Sequence, residues 1–302
     1  MSERLKIGLI GAGVFASYHA QKLSHHPRVN FTGVVDQSGK RAADLAAKHG
    51  VSRVSLTDLL EMSEAVIIAS PASTHKTMSE QALDAGCHCL IEKPIATAED
   101  EAANIVQLAK SKNAIVQVGH QERMVLKATG LLNVRERPLR IEGVRNASYS
   151  ARGTDTSVTL DLMTHDIDLC TALMGEAADD VFGQAGCVRS ETADMSYGRL
   201  RYGDTLVHLT ASRVADRSER WMKLTYASGE VHIDFNKKTL TNSTSFALDA
   251  NFAEKEIAKD SLGAATDNFV RAVLDGAPVL VSAEDGLVAV RTALKIDEGR
   301  IG

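Results

Sequence analysis

The sequence predicts an α/β fold in which a doubly wound parallel sheet is followed by an α+β domain with a largely antiparallel open sheet. Up to about residue 119, short apolar runs alternate with helical patterns, which is typical of a parallel sheet flanked by helices. From about residue 180, apolar and polar residues alternate instead, and the pairs Gly203-Asp204 and Ser228-Gly229 separate runs as hairpin turns do. The 302 residues are enough for two domains.

The first domain, assigned to residues 1–120, contains six predicted strands. The apolar runs that predict them lie at 5–10, 29–35, 51–55, 65–69, 87–92 and 114–119. The helical patterns between them lie at 14–23, 39–49, 56–62, 75–85 and 99–110. Because the run at 65–69 is apolar throughout, we expect that strand to be buried on both faces.

The second domain, assigned to residues 121–302, combines a few helices with a longer series of strands. Strand-like alternation occurs at 139–150, 180–188, 194–202, 205–213, 219–227 and 230–235. Helical patterns occur at 124–134, 159–174, 261–274 and 283–296. The polar segment 239–260 has no clear period, so we expect a mobile or substrate-capping segment there. A closing helix at about 283–297 is a candidate to pack back on the first domain.

A dinucleotide fingerprint follows the first predicted strand. Gly11, Gly13 and Ala16 form its G-x-G-x-x-A version in the required strand–turn–helix context. Gly11 permits the tight turn, and Gly13 lets the backbone approach a pyrophosphate. The helix that begins at Val14 and Phe15 offers free N–H groups to the phosphates. This part of the chain is therefore predicted to be a Rossmann domain that binds a nicotinamide dinucleotide.

An acidic residue closes the second predicted strand, where it can select the cofactor. A carboxylate at Asp36 can accept hydrogen bonds from the ribose hydroxyls of NAD. Lys40 and Arg41 follow closely. Either they bind the 2′-phosphate of NADP or they are solvated charges at the start of a helix. We expect NAD, with NADP not excluded.

Ligands of open α/β sheets bind at the carboxyl ends of the strands, which directs attention to the residues found there. Ser70 and Pro71 follow the fourth strand and are candidate cofactor contacts. His75 either caps the next helix or reaches the cofactor ribose. Gln121, just after the sixth strand, is a further candidate cofactor contact.

The fifth strand delivers Glu92, Lys93 and Pro94 to the same edge, where Glu92 and Lys93 are candidate cofactor contacts. A lysine beside a nicotinamide can hold a substrate hydroxyl through a charge-assisted hydrogen bond and can stabilise a developing alkoxide. The alternative is a solvated loop lysine. Pro94 is a candidate for a cis peptide bond.

The helical pattern at 159–174 carries a narrow polar stripe. At 100° per residue, Asp161, His165 and Asp168 fall on one side of this helix. Such a stripe can be a solvated face, or it can line a cleft in which an aspartate orients the histidine as a base. Arg123 either binds an anionic group of the substrate or pairs with a carboxylate.

Together, the Gly11-Ala12-Gly13 turn, Asp36, Glu92-Lys93-Pro94 and the Asp-x-x-x-His of Asp161 and His165 resemble the glucose–fructose oxidoreductase/inositol dehydrogenase (Gfo/Idh/MocA) family over essentially the whole chain. The resemblance implies that Lys93 contacts substrate and nicotinamide and that His165 is the general base, with Asp161 as its companion carboxylate. It implies a dehydrogenase of CH–OH groups and a homodimer or homotetramer formed through the open sheet.

Several stretches look like the nucleotide-sugar branch of this family, whose members oxidise the 3-hydroxyl of UDP-N-acetylglucosamine-type sugars. Among them are the segment that ends at Arg123, the segment 152–155 that begins with Arg152, and the segment around His165. Arg123, Arg152, Asp161, His165 and Lys93 are therefore the expected substrate contacts. One departure is the segment 124–126, Met-Val-Leu, where nucleotide-sugar relatives commonly have Phe-Asn-Pro. The alternatives are a free-sugar or inositol dehydrogenase and a non-catalytic nucleotide-sensing regulator.

The composition argues against several kinds of partner and against a metal site. The net charge of −5 and the lack of a basic block disfavour nucleic acid and an anionic membrane as partners, and no apolar run approaches the length of a membrane span. The Cys87-His88-Cys89 run has no second ligand pair at zinc spacing, so we expect buried thiols and no metal. We expect a cytoplasmic location.

Overall fold

The computed structural model describes residues 4–151 and 153–301, and these residues form two compact units. One unit runs to Gln121 and also includes Asp260–Leu287, whereas the other comprises Glu122–Lys259 and the chain from Val288 onward. The domain boundary assigned from the sequence, at residue 120, places residues 260–287 in the second domain, whereas these residues pack in the first unit. The reason is local packing, because Phe269 and Val270 are buried in the core of the first unit.

Fourteen strands are present in the described residues. They are β1 (Leu5–Ile10), β2 (Val29–Val35), β3 (Ser52–Arg53), β4 (Ala65–Ile68), β5 (His88–Ile91), β6 (Val116–Val118), β7 (Arg140–Asn146), β8 (Asp180–Gly186), β9 (Met195–Tyr202), β10 (Thr205–Ser212), β11 (Glu219–Tyr226), β12 (Gly229–Asp234), β13 (Thr239–Asn242) and β14 (Arg300–Ile301).

Ten α-helices accompany these strands in the described part of the chain. They are α1 (Val14–His25), α2 (Gly39–Lys48), α3 (Leu56–Met62), α4 (His75–Asp84), α5 (Glu99–Ser111), α6 (Glu122–Thr129), α7 (Thr164–Met174), α8 (Glu256–Lys259), α9 (Ser261–Asp275) and α10 (Ala283–Asp297). One π-helical turn, Thr159–Met163, directly precedes α7.

The first unit contains a six-stranded sheet in the order β3-β2-β1-β4-β5-β6. Its strand pairs are parallel, which confirms the predicted doubly wound sheet of Rossmann type. Strand β4 is fully buried, as its continuous apolar run predicts. The core between this sheet and its helices includes Leu5, Ile7 and Leu9 of β1 and the small residues Ala16 and Ala20 of α1.

The second unit contains an eight-stranded sheet in the order β13-β12-β11-β7-β10-β9-β8-β14. Most pairs are antiparallel, while β7 with β10 and β8 with β14 are parallel, so the predicted largely antiparallel sheet is confirmed. Gly203 and Gly229 adopt positive φ angles of 59° and 143° in the predicted hairpin turns. Residues alternate between a buried and a more exposed face along β9 and β10.

Two details of the second unit bear on the sequence predictions. The segment 239–260 is not without regular structure, since it contains β13, a 3₁₀ turn at Phe252–Glu254 and the short helix α8, and its mobility or substrate-capping role stays a prediction. Strand β13 pairs with β12 through backbone hydrogen bonds, which do not require an apolar pattern in β13. The helix predicted at 159–174 also does not begin as a regular α-helix, because its first turn is the π-helical turn.

Candidate active site

The strand order of the first sheet brings the predicted cofactor residues to one edge. Ile10, the last residue of β1, pairs with Val35 of β2 on one side and with Ile68 of β4 on the other. The residues that follow these strands are therefore neighbours at their carboxyl ends. The strand order reverses between β1 and β4, which is where open α/β sheets bind their ligands.

The glycine turn after β1 has the shape that the fingerprint requires. Gly11 has φ +115°, and a Cβ atom there would lie 2.5 Å from the carbonyl oxygen of Ala69. In contrast, a Cβ atom at Gly13 would meet no other atom within 4 Å. Open space thus lies in front of the N-terminus of α1, where Val14 and Phe15 are 43% and 45% exposed. These residues fit the pyrophosphate of a dinucleotide, because backbone N–H groups at a helix N-terminus bind phosphate.

Asp36 is held in place at the end of β2. Its carboxylate accepts hydrogen bonds from the backbone N–H groups of Ala12 (2.8 Å) and Ser38 (2.7 Å). The guanidinium of Arg41 donates to the same carboxylate at 2.9 Å, while its side chain is 62% exposed. Burial alone would raise the pKa of Asp36, but the hydrogen bonds from Arg41, Ser38 and Ala12 outweigh it and hold the pKa below its usual value. The carboxylate is therefore ionised and well placed to accept ribose hydroxyls.

His75 holds the loop after β4 through both of its ring nitrogens. His75 is 1% exposed, and its Nδ1 and Nε2 lie 2.7 Å from the carbonyl oxygen of Pro94 and 3.0 Å from that of Ser70. Both ring nitrogens are thus engaged by the protein. Burial lowers the pKa of His75. The ring therefore joins two loops, and its contact with the cofactor ribose stays a prediction. Pro71 is exposed at the same edge, where it stays a predicted cofactor contact.

The end of β5 presents Lys93, with Glu92 turned into the protein. Glu92 is buried, and its Oε1 lies 2.8 Å from Nε2 of the buried His19 on α1. Burial alone would raise the pKa of Glu92, but the contact with His19 outweighs it and lowers the pKa. Lys93 is half-buried, and its peptide bond to Pro94 is cis, as predicted. Glu92 therefore supports the loop, and its contact with the cofactor stays a prediction.

Sequence reasoning missed His19, although a signal for it exists. Ala16, Ala20 and Leu23 mark the buried face of α1, and position 19 lies on that same face. A histidine among apolar residues of a buried stripe requires a polar partner, because an unpaired buried polar group is costly. The sequence does not reveal that this partner is Glu92, which is 73 positions away.

In the second unit, Asp161 lies in the π-helical turn, and His165 is in the first turn of α7. Both side chains are half-buried. The π-helical turn changes the angular spacing of side chains, so the predicted stripe at 100° per residue does not apply across it. Such turns occur often at functional sites. Gly153 closely approaches Asp161, because a Cβ atom there would lie 3.0 Å from Oδ2.

The two aspartates that follow His165 in the sequence, Asp166 and Asp168, form ion pairs. Arg123 donates to both carboxylate oxygens of Asp168, at 2.9 and 2.8 Å, and both side chains are buried. Of the two expected roles of Arg123, the structure therefore shows the ion pair with a carboxylate. Both oxygens of Asp168 take part in this pair. Arg145 donates to both oxygens of Asp166 at 2.8 Å. Burial raises the pKa of Asp166 although Arg145 opposes the shift. These pairs anchor α7.

The remaining predicted contacts are placed as follows. Gln121 is half-buried, and its N–H donates to the carbonyl oxygen of Gly119. Met124, Val125 and Leu126 are buried in α6, so the departure from the Phe-Asn-Pro pattern lies in a packed helix. Arg152 lies outside the described residues.

Comparison with known proteins decides the family. Residues 5–120 match the profile of an oxidoreductase family with an NAD-binding Rossmann fold, and residues 135–234 match the profile of the GFO/IDH/MocA C-terminal domain. A solved structure of the UDP-N-acetylglucosamine 3-dehydrogenase from Acidithiobacillus ferrooxidans is 30% identical, with 98% of each chain covered and a TM-score of 0.88. The chain belongs to the Gfo/Idh/MocA oxidoreductase family. This confirms the resemblance seen in the sequence.

Further comparisons extend the similarity to sequences and to another solved structure. The curated sequence of the A. ferrooxidans enzyme is 29% identical over 97% of this chain and 96% of its own length. Inositol 2-dehydrogenase 4 from Saccharopolyspora erythraea is 31% identical, but over 58% of this chain and 56% of its own. A structure of GenD2 from gentamicin A biosynthesis in complex with NAD has a TM-score of 0.87 at 21% identity, which supports the fold alone.

As a Gfo/Idh/MocA member, the chain is an oxidoreductase with an NAD-binding Rossmann domain, as predicted. The fingerprint glycines and Asp36 fit this cofactor, as their geometry indicates. The thiols of Cys87 and Cys89 are buried in the first unit, and burial raises the pKa of each. Throughout the described ranges, no helix is both long and apolar enough to cross a membrane.

Proposed function

We propose that this enzyme oxidises the 3-hydroxyl of a UDP-N-acetylglucosamine-type nucleotide sugar with NAD as the hydride acceptor. The observation that carries the proposal is the similarity to the UDP-N-acetylglucosamine 3-dehydrogenase of A. ferrooxidans, which extends over 97% of this chain and 96% of that enzyme. Similarity over both domains matters here, because the sugar is expected to contact residues beyond the cofactor domain. The inositol dehydrogenase relatives match a smaller share of the chain.

The proposal assigns three catalytic roles. Bound NAD accepts the hydride, so the protein has to hold the alcohol and remove its proton. Lys93 donates a charge-assisted hydrogen bond to the reacting oxygen and stabilises its developing negative charge. His165 takes the hydroxyl proton as the general base, and Asp161 orients its imidazole. A well-placed general base accelerates such a step by roughly 10²–10⁴-fold.

The cofactor contacts complete the assignment. Backbone N–H groups from Gly13 to Phe15 bind the pyrophosphate, and Asp36 accepts the adenosine ribose hydroxyls. Arg41 pairs with Asp36 at 2.9 Å, and because its side chain is 62% exposed, it has room to turn toward a 2′-phosphate. NAD is therefore the preferred cofactor in this proposal, and NADP is a weaker alternative.

The test is the appearance of the reduced-nicotinamide absorbance band with NAD or NADP and a panel of alcohols. The panel contains UDP-N-acetylglucosamine, UDP-glucose, glucose and myo-inositol. We expect a signal with the UDP-sugars, and deuterium placed at C3 of the N-acetylglucosamine ring should appear in the reduced cofactor. A signal with only glucose or inositol would show that the substrate is a free sugar or inositol, while the proposed hydride transfer would stand. No signal with any alcohol, together with normal NAD binding, would favour the sensing regulator.

The open face of the second sheet supports association with a second copy of the chain, as a homodimer or homotetramer. Phe182, Met195 and Leu206 are 47–49% exposed on neighbouring strands of this sheet. The guanidinium of Arg199 lies over the Phe182 ring, 5.4 Å from its centre, which is a typical cation–π distance. Leu206→Glu should shift the protein toward monomer in analytical ultracentrifugation. A monomeric wild-type protein would refute this part.

The four free cysteines fit a reducing compartment, which supports the cytoplasm.

A further inference from the structure

A buried contact ties helix α1 to the loop that carries Lys93. Nε2 of His19 and Oε1 of Glu92 are 2.8 Å apart, and these side chains are 1% and 8% exposed. The other carboxylate oxygen of Glu92 accepts a hydrogen bond from the Lys93 N–H at 3.3 Å. The backbone at Lys93 is thus connected to α1 through two oxygens of one carboxylate.

The cavity for Glu92 depends on a glycine. A Cβ atom at Gly119 would lie 2.9 Å from the carboxylate carbon and from both carboxylate oxygens of Glu92. The Gly119 N–H in turn donates to the carbonyl oxygen of Ile91 at 2.8 Å. The end of β5 and the residue that follows β6 therefore leave room for the inward-facing side chain of Glu92.

A second buried histidine holds the other side of the loop. Nδ1 of His75 lies 2.7 Å from the carbonyl oxygen of Pro94, and Nε2 lies 3.0 Å from that of Ser70. Pro94 itself is buried, and so are the two residues that follow it. The Lys93 backbone therefore lies between two imidazoles, one from α1 and one from α4.

We infer that His19 is a positioning residue for Lys93, acting through the carboxylate of Glu92. Among the described residues, Nδ1 of the buried His19 has no hydrogen-bond partner, so the polar contact of this ring is the one with Glu92. Because a buried polar ring is costly without such a contact, the contact accounts for a histidine on the apolar face of α1. The significance of Lys93 itself rests on the proposed function.

The arrangement also links two parts of the cofactor site. The first turn of α1 is the part assigned to the pyrophosphate, and His19 lies in the middle of the same helix. A rigid helix transmits its position to Glu92 and then to the Lys93 N–H. Lys93 is consequently set relative to the dinucleotide by one helix, and small misplacement of a reacting group can cost about 10²-fold in rate.

The test compares His19→Leu, His19→Gln and the control His88→Gln. His88 is a half-buried histidine on β5, the strand that leads to Lys93, and its Nδ1 accepts a hydrogen bond from the Ile115 N–H. We expect His19→Leu to speed hydrogen–deuterium exchange in the peptide that covers 92–96 by roughly 10-fold or more. His19→Gln retains an N–H donor and should restore most of the protection. His88→Gln should leave this peptide protected.

Turnover and cofactor binding give the second measurement. His19→Leu should lower kcat by about 10–100-fold while the NADH dissociation constant, from fluorescence titration, stays within about 3-fold of wild type. In a Lys93→Ala background, His19→Leu should cause little further loss of kcat, because a residue that acts through Lys93 has nothing left to position. Additive losses in that background would overturn the inference.

The exchange and titration measurements require no sugar substrate. If no alcohol in the panel is oxidised, the proposed function fails, while exchange at 92–96 still decides the positioning role. Equal exchange in this peptide for wild type and His19→Leu would overturn the inference, and so would an equal increase in the His88→Gln control. If His19→Leu does not fold, the same comparison is made with Glu92→Gln, which keeps the side-chain shape and weakens the contact.

Discussion

Arg123 donates to Asp168 through both Nε and a terminal nitrogen, at 2.9 and 2.8 Å, and both side chains are buried. The pair joins α6 to α7, the helix that carries His165. A bidentate pair fixes orientation as well as distance, because two parallel hydrogen bonds define the plane of both groups. The pair therefore serves to hold His165 in place.

Removal of Arg123 should strongly destabilise the protein. Arg123→Ala leaves the charge of Asp168 buried without its guanidinium, which typically costs about 3–5 kcal/mol. Urea denaturation measures the loss as a change in the free energy of unfolding. The matched control is Arg140→Ala, because Arg140 pairs with Glu142 at a half-exposed position, where about 0–1 kcal/mol is expected. Similar small losses for both variants would contradict the role of the pair.

Replacement of Lys93 should separate turnover from cofactor binding. Lys93→Ala removes the cation expected at the reacting oxygen, so kcat with the best substrate should fall by roughly 10²–10³-fold. The NADH dissociation constant should change little, because backbone groups and Asp36 account for most of that binding. Lys76→Ala, at a half-exposed lysine on α4, is the control. Wild-type turnover in Lys93→Ala would refute the assigned role.

Replacement of Asp36 should weaken NAD more than NADP. Asp36→Ala removes the acceptor for the ribose hydroxyls, and it also frees Arg41 from its 2.9 Å contact. We expect the ratio of the NADPH to NADH dissociation constants to fall by about 10-fold or more. Asp44→Ala, an exposed aspartate paired with Lys40, is the control. Equal weakening of both cofactors by Asp36→Ala would mean that Asp36 does not contact the ribose.

The sequence predicts those parts of the fold and site that depend on patterns of neighbouring residues. Gly11 and Asp36 were identifiable because the fingerprint is a contiguous motif with one acidic residue at a fixed distance. The buried strand β4 was identifiable from its apolar run, and the hairpin at Gly203 from its turn residues. Each of these features depends on residues that are close in sequence.

The features that the sequence does not reveal depend on long-range contacts or on irregular backbone. His19 and Glu92 are 73 positions apart, and Arg123 and Asp168 are 45 apart, so no local period connects them. The predicted stripe of Asp161 and His165 assumes a regular helix, whereas Asp161 lies in a π-helical turn and His165 in the α-helix that follows it. A helical wheel assumes 3.6 residues per turn and cannot anticipate that change.

Asp194 is a buried carboxylate that organises the turn between β8 and β9. It accepts hydrogen bonds from the backbone N–H groups of Val188, Arg189 and Ser190, at 2.8, 2.6 and 2.9 Å. Arg213, which is also buried, donates to it at 2.8 Å. Burial alone would raise the pKa of Asp194, but the hydroxyl of Ser190, these N–H groups and Arg213 outweigh it and hold the pKa far below its usual value.

Because the pKa of Asp194 is lowered in the folded protein, the free energy of unfolding should depend on pH. Because the folded-state pKa lies below the unfolded value of about 4, the stabilisation by ionised Asp194 is fully present above about pH 5 and is lost as the pH falls below about 4. Asp194→Asn should therefore cost roughly 2–3 kcal/mol at neutral pH, and the difference from wild type should shrink in acid. Denaturant unfolding at several pH values measures this, with the exposed Asp216→Asn as control. A difference that stays constant from neutral pH down to about pH 3 would show that ionised Asp194 is not its source.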